Sequence, residues 1–212
     1  MVKRREQIKP NNMKTNLKTL AIVTCLAVGT CAYAQEGFIR PELSYNFASL
    51  SGSDAVGFKT KDAAGYGVTG GAYIGAQNEH EIGLAIGKVD FSLSANAAGV
   101  TVSGKAKTVP VLASYRYYFG AKADVARLYV GPYVGYTSIK YNVRATFGTP
   151  AVFTDSSSGN SFTWGGGLGG MTKVTDKIDI DIGYRFIGGL KISDTNIKAR
   201  VGSLYAGANF RF

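Results

Sequence analysis

The chain has 212 residues, 28 of them glycine and only five proline, with two cysteines and a formal net charge of +10. Both cysteines, Cys25 and Cys31, precede residue 35, which excludes disulfide and thiol chemistry from the remainder, and that remainder is the size of one domain. Residues 1–34 hold six of the 24 lysines and arginines and one of the 14 acids, so residues 35–212 carry 18 cations against 13 anions, a net +5 that argues poorly for nucleic acid.

Residues 13–18 are polar and basic, and residues 19–29 form a nearly uncharged apolar run. Ala32-Tyr33-Ala34 then presents small residues at the two positions a signal peptidase inspects. Cleavage before Gln35 is expected, making residues 1–34 a signal peptide for export and residues 35–212 the mature domain. The apolar run is too short to span a membrane as a helix. Met13 is the expected start, with residues 1–12 an upstream extension; the alternative is a long basic leader. Acylation of Cys31 is the lesser alternative, because Thr30 is a poor residue before a lipidated cysteine.

Eight segments of period-2 alternation follow. In residues 39–47 every odd position is apolar (Ile39, Leu43, Tyr45 and Phe47 around Pro41) and every even one polar or charged. Residues 66–76 and 82–93 are weaker and glycine-rich; in the second of these the apolar face shifts after Ile86 to Val89, Phe91 and Leu93, which predicts a bulge near Gly87. Residues 108–119 place Val109, Val111, Ala113, Tyr115, Tyr117 and Phe119 on one face. Residues 128–136, the glycine-rich 162–172, and 178–186 continue the series. The last segment, residues 204–212, alternates Leu204, Ala206, Ala208, Phe210 and Phe212 with polar or small residues and ends the chain on an aromatic.

The connections alternate in length. Short turns are expected at residues 77–79, 120–125 and 174–177, long loops at 48–64, 94–107, 138–161 and 188–197. The third long loop contains Thr154-Asp155-Ser156-Ser157-Ser158-Gly159-Asn160, flexible by composition. An even number of strands of about 9–11 residues, with short turns at one end and long loops at the other, is what an all-β, eight-stranded, antiparallel up-and-down transmembrane barrel requires. A soluble lipocalin-like barrel has the same period with the faces reversed. Aromatics favour lipid outside, because Tyr45, Phe47, Tyr66, Phe162 and Trp164 mark the loop ends of the apolar faces, and Tyr117, Phe119, Phe210 and Phe212 the turn ends.

Residues 108–120 (TVPVLASYRYYFG), 179–186 (DIDIGYRF) and 204–212 (LYAGANFRF) resemble strands of the OmpA/OmpX-like outer-membrane β-barrel family. The resemblance implies location in the outer membrane of a Gram-negative bacterium. It also implies recognition of the final strand by the barrel-assembly machinery, with Leu204, Phe210 and Phe212 as the assembly signal. No peptidoglycan-binding domain is expected after the barrel, so the stand-alone OmpX-like form is the closer comparison.

Nine ionisable residues fall on the face opposite the apolar one: Arg40, Glu42, Glu81, Arg116, Arg127, Asp179, Asp181, Arg185 and Arg211. Buried charges need partners, so a salt-bridge network filling the lumen is expected, with Arg211 near Arg40 and Glu42 of the first strand. Eight strands leave an interior that side chains can fill, and Tyr73, Tyr118, Tyr129, Tyr133 and Tyr205 take up more of it. A plugged lumen is the expectation; a narrow channel for ions or small solutes is the alternative. An enzyme comes third: the sole histidine, His80, adjoins a turn, and neither a catalytic site, a metal site nor a cofactor is expected.

Lys59, Lys61, Lys105, Lys107, Lys140, Arg144, Lys191, Lys198 and Arg200 gather at the loop ends. Such a basic crown suits the phosphates of lipopolysaccharide. The expected role is structural or surface interaction: membrane integrity, adhesion, contact with lipids and lipopolysaccharide, and a host or surface ligand at the long loops. A monomer is expected.

Overall fold

Alternating side chains commit each segment to a pleated strand whose two faces meet different surroundings. The computed structural model describes residues 36–52, 57–97, 100–147, 152–191 and 197–212. The leader, its cleavage site and both cysteines lie outside the described residues. The strands are β1 (Glu36–Ser51), β2 (Phe58–Lys61), β3 (Ala63–Ile74), β4 (His80–Ala97), β5 (Val100–Phe119), β6 (Ala126–Phe147), β7 (Val152–Lys173), β8 (Ile178–Lys191) and β9 (Lys198–Arg211). They follow the order β2-β4-β3-β1-β9-β8-β7-β6-β5, and β5 returns to pair with β4, so the sheet closes.

β2 and β3 are two parts of one stave. Both pair with β4, and the register steps by one residue between Lys61↔Ser92 and Gly65↔Val89, a bulge that re-aims the stave. The result is an all-β, closed, eight-stranded antiparallel barrel whose staves pair on both sides through the closed section; beyond it, among the described residues, β2 pairs only with β4 and residues 152–163 of β7 only with β6. The backbone groups of the terminal residue take part: Gly37 and Phe212 exchange N–H···O bonds of 3.0 Å at the seam between β1 and the chain end.

Side-chain direction follows the expected parity. On β1 the side chains of Phe38, Arg40, Glu42 and Asn46 are buried, while Ile39, Leu43, Tyr45 and Phe47 are exposed on the outer wall. The same holds around the barrel for Val68, Ile82, Ile86, Tyr117, Leu128, Val134, Trp164, Leu168, Ile182, Leu204 and Phe210. Each outward apolar stretch runs for about nine residues, which at the usual strand tilt makes a band about 25 Å tall.

Two sequence expectations are corrected. No bulge occurs at Gly87: the register against β3 is constant from Gly65↔Val89 to Ile74↔His80, and Val89 and Phe91 point into the barrel, not out of it. The chain changed the polarity of its faces there without changing their parity. The real bulge besides the β2–β3 step is on β8, between Ile187 and Leu190.

Two of the expected long loops are also largely strand among the described residues. β4 and β5 extend to Ala97 and Val100, and β6 and β7 to Phe147 and Val152, so most of residues 94–107 and 138–161 are paired strand. Residues 154–160, read as a flexible loop, belong to β7 and pair with residues 138–144 of β6. The physical reason is that alternation persists beyond the membrane band with inverted chemistry. Ala106, Ile139, Tyr141 and Val143 turn inward, while Lys105, Lys107, Lys140 and Arg144 turn outward.

Proline marks local breaks in the ladders. The β1–β9, β4–β5 and β5–β6 ladders skip the pairs at Pro41, Pro110 and Pro132, each of which keeps its pairing on the other side, at Val68, Thr137 and Gly166. A residue without an N–H serves one neighbour and not both.

Candidate functional site

The inward faces of β1, β4, β5 and β8 carry the charges that the alternation placed there. Arg40 forms a two-pronged pair with Glu81, Nη2 to Oε1 at 2.8 Å and Nη1 to Oε2 at 3.1 Å. Its Nη1 also lies 3.1 Å from Asp181 Oδ2. Arg116 donates from Nη1 to the same Asp181 oxygen at 2.7 Å, and its Nε stands 3.5 Å from Glu81. Two guanidinium groups and two carboxylates thus form a closed square in which each charge touches both opposite charges. All four are at most 1% exposed. Phenols complete the shell: Tyr118 donates to Glu81, Tyr129 donates to Asp181, and Arg116 Nη2 donates to Tyr133 and Tyr205 at 3.0 and 3.1 Å.

Glycine makes room for these phenols. A Cβ at Gly183 would lie 2.5 Å from the Tyr129 hydroxyl and 2.6 Å from that of Tyr205, and one at Gly167 would lie 2.8 Å from the Tyr133 ring. The glycine-rich, weakly alternating β7 is therefore the counterpart of the tyrosines on β6.

The remaining lumen charges form separate groups. Towards the long-hairpin end, Arg185 donates to Glu42 at 2.6 Å. At the short-turn end, Arg211 pairs with Asp179 at 2.9 Å, while Asn209 donates to both Asp179 and Tyr73. Arg211 thus meets β8, and also Glu36 at 3.6 Å, rather than Arg40 and Glu42 as expected, because it stands opposite Phe38 in the β1–β9 register. Arg127 forms no salt bridge among the described residues. It donates to the turn carbonyls of Gln77 and Asn78 at 3.0 and 3.2 Å and stacks over the Tyr118 ring. All nine residues of the set are buried.

Glu36, Asn46, Asn78 and Asn209 belong to the same interior and were not singled out from the sequence. Glu36, Asn46 and Asn209 share the inward parity of their strands, so the alternation itself was the available signal. Asn78 was not accessible that way; it occupies the left-handed region (φ 52°) in the turn and donates to Glu36 at 2.6 Å.

Above the Glu42–Arg185 pair lies a layer of neutral polar groups. Ser203 donates to Asn46 at 2.6 Å, and Thr137 to Thr163 at 3.3 Å. Above that the interior becomes apolar: Ala63, Val89, Phe91, Ile139, Leu190 and Val201 form one buried cluster. A cavity of about 40 Å³ separates the two, with Glu42, Asn46 and Arg185 on one side and Phe91, Leu190 and Val201 on the other. One Glu42 oxygen, Oε2, has no hydrogen-bond partner there. Such a space has room for about one water molecule.

The nine basic residues at the hairpin ends are exposed and occupy outward positions. They fall into two groups. Lys59, Lys61, Lys105, Lys107, Lys140 and Arg144 share the outer face of β2, β4, β5 and β6; Lys191, Lys198 and Arg200 share that of β8 and β9. In each group two lysines stand directly opposite each other across a ladder, Lys107↔Lys140 and Lys191↔Lys198.

His80 opens β4 on the outer wall, with Nδ1 2.7 Å from the Tyr115 hydroxyl and its ring beside Tyr117. Among the described residues, no group of three or more His, Cys, Asp or Glu is arranged to hold a metal. Leu204, Phe210 and Phe212 line the outer face of the closing strand.

These features meet known proteins at the level of fold. Neisserial surface protein A is 18% identical, covering 83% of this chain and 97% of its own, with a TM-score of 0.52. The attachment invasion locus protein Ail of Yersinia pestis is also 18% identical at a TM-score of 0.52, covering 84% and 98%. OprG of Pseudomonas aeruginosa is 15% identical, covering 85% and 97%, again at 0.52. Among curated proteins none matches in sequence. The model of the outer membrane protein beta-barrel domain matches residues 19–212, and these neighbours are small eight-stranded barrels of the OmpA/OmpX-like type. The chain belongs to the outer membrane protein beta-barrel family.

Proposed function

We propose that this outer-membrane barrel serves a structural and surface-interaction role, with a lumen that does not conduct. The observation that carries this reading is the stacking of two unlike barriers inside one narrow barrel. The Arg40–Glu81–Arg116–Asp181 square occupies one level, and the Phe91–Leu190–Val201 cluster another. A hydrated ion crossing the barrel has to break a fully paired charge group and then traverse an apolar layer that disfavours water. Loss of either barrier leaves the other in place.

With the lumen closed, interaction falls to the outer wall and the hairpin ends. The directly opposed pairs Lys107–Lys140 and Lys191–Lys198 support an anionic partner there. Like charges opposite one another across a ladder are destabilising; Asp90, which faces Lys107 from β4, offsets part of that cost, and a bound polyanion such as lipopolysaccharide relieves the rest. Membrane integrity follows from cross-linking the outer leaflet through such contacts, and adhesion from the projecting hairpins. No catalytic role is assigned. The sole histidine is engaged with Tyr115 and Tyr117 on the outer wall, and among the described residues no serine hydroxyl is hydrogen-bonded to it.

Single-channel recording in planar bilayers tests the closed lumen. The purified protein is expected to give no steady openings. Regular, large openings would overturn the plugged interior and favour the rival reading, a narrow channel for ions or small solutes.

A further inference from the structure

The larger basic group does more than distribute charge over a wall. On the outward face, Lys61, Ser92, Lys105 and Asn142 stand side by side in one cross-strand row. The next row towards the hairpin ends contains Ser103 directly opposite Arg144. Serine ends at Oγ, whereas lysine and arginine reach several atoms further. The wall is therefore recessed at Ser92 and Ser103 and raised at Lys61, Lys105 and Arg144. The recess is a depression of about 470 Å³ with no carboxylate in its lining among the described residues. That volume lies within the range of small-ligand sites, about 300–1,000 Å³.

We propose that this depression on β2, β4, β5 and β6 is a binding site for a phosphorylated saccharide, specifically the phosphate-bearing sugars of lipopolysaccharide. The proposal rests on the reading of the outer wall as a lipopolysaccharide contact. Its chemistry is selective in two ways. Three cations at the rim suit more than one phosphate, each through charge-assisted hydrogen bonds. The hydroxyls of Ser92, Ser94, Ser103 and Thr154 and the Asn142 amide offer both donors and acceptors, which match sugar hydroxyls and have little to offer an alkyl chain.

Height selects the source of the sugar. The outward apolar face of β5 ends at Val109, and Lys105 lies four residues further along the strand, about 13 Å, or about 10 Å above the hydrocarbon at the usual tilt. That is the layer in which the phosphorylated sugars of lipopolysaccharide lie. The opposed pair Lys107–Lys140 sits between the depression and the hydrocarbon and outnumbers Asp90, which faces Lys107 from β4, so positive potential remains on the approach.

The test uses the folded barrel in uncharged phosphatidylcholine nanodiscs. Two probes are titrated calorimetrically at low salt: purified lipopolysaccharide, and the glucosamine disaccharide bisphosphate that remains when lipid A is deacylated. Ser103→Tyr fills the depression without changing any charge, and tyrosine suits an exposed strand position. It is expected to weaken the bisphosphate at least about tenfold, as is Arg144→Gln, the loss of one charge-assisted bond being worth about that factor. Lys177→Gln, a single-charge change in a turn at the opposite end, is expected to leave both probes unaffected. Heat-modifiable gel migration confirms that each variant is folded.

If Ser103→Tyr binds the bisphosphate as wild type does while Arg144→Gln weakens it, the built site is wrong and only diffuse attraction remains. If wild-type protein fails to bind intact lipopolysaccharide, the broader reading of the outer wall falls as well. Equal affinity for the unphosphorylated disaccharide removes the phosphate from the recognition. Tighter binding of a soluble sulfated glycan than of the bisphosphate overturns the assigned partner.

Discussion

The membrane-spanning section of the barrel and its projecting hairpins use one backbone rule with opposite chemistry. In the band, Val109, Val111, Val134 and Tyr136 face outward while Arg116 and Tyr133 face inward. Beyond it on the same two strands, Lys105, Lys107, Lys140 and Arg144 face outward while Ala106, Ile139 and Val143 face inward. Parity never changes, because pleating alternates side chains regardless of solvent. Polarity inverts where the surroundings change from lipid to water. Below the boundary the costly groups are inside and must be paired; above it the interior is an ordinary apolar core.

The sharpest way to break this comparison is at the charge square. Glu81→Gln removes the negative charge that Arg40, Arg116 and Tyr118 share, and leaves two buried guanidinium groups to one carboxylate. A loss of about 3–5 kcal/mol is expected from denaturant unfolding in lipid vesicles. A change within about 0.5 kcal/mol, the usual range for an inconsequential surface site, would mean that ion pairing does not hold the lower interior together.

A second substitution locates the boundary. Ile182 is 61% exposed on the outer wall within the apolar stretch of β8, and Ile182→Arg places a charge against lipid. The expected cost is about 2–4 kcal/mol if the site lies near the midplane. Thr101→Arg makes a comparable outward change on the projecting section, opposite the uncharged Asn96 and Thr146, and is expected to stay within about 0.5 kcal/mol. Equal costs at the two positions, measured by the same unfolding titration, would show that the two sections do not face different solvents.

The smallest effect is expected at the turns. Glu79 is exposed, and backbone N–H groups of its turn, its own first and then that of Gln77, hold its carboxyl below the ordinary range. Gln77 N–H lies 2.8 Å from Glu79 Oε2. A depressed folded value means that this stabilisation is present above the ordinary carboxylate range and is lost as the pH falls through the depressed value. Glu79→Gln should therefore lower neutral stability slightly, match the wild type at low pH, and so flatten a small part of the acid-side dependence of unfolding. Identical acid profiles for the two proteins would remove the turn from the account.

Several features of the fold were legible residue by residue. Alternation in residues 39–47, 108–119, 178–186 and 204–212 identified the outward faces and, by subtraction, seven of the nine lumen charges; Glu81 and Arg127 lie one residue before the weaker segment at 82–93 and the segment at 128–136. The extent of the strands was not legible in the same way. Ser, Gly, Lys and Asn between residues 94 and 107 read as loop by composition, yet their inward neighbours Val102 and Ala106 keep the alternation alive. The parity shift inferred at Gly87 had the same origin: Val89 and Phe91 are apolar because they line a core, not because they face lipid. An apolar residue carries no mark of which apolar surroundings it occupies.

The sequence by itself determined the period, the parity and the number of staves, because each depends only on neighbours along the chain and on turn chemistry. It also determined that charge lies on one face. Only the tertiary structure decided the partners. That Arg211 meets Asp179 instead of Glu42, that Arg127 caps two turn carbonyls, and that Ser92 and Ser103 recess between three cations all depend on register across strands far apart in sequence. Closure sets that register. A single residue of shift would turn every one of these side chains to the opposite face of the wall.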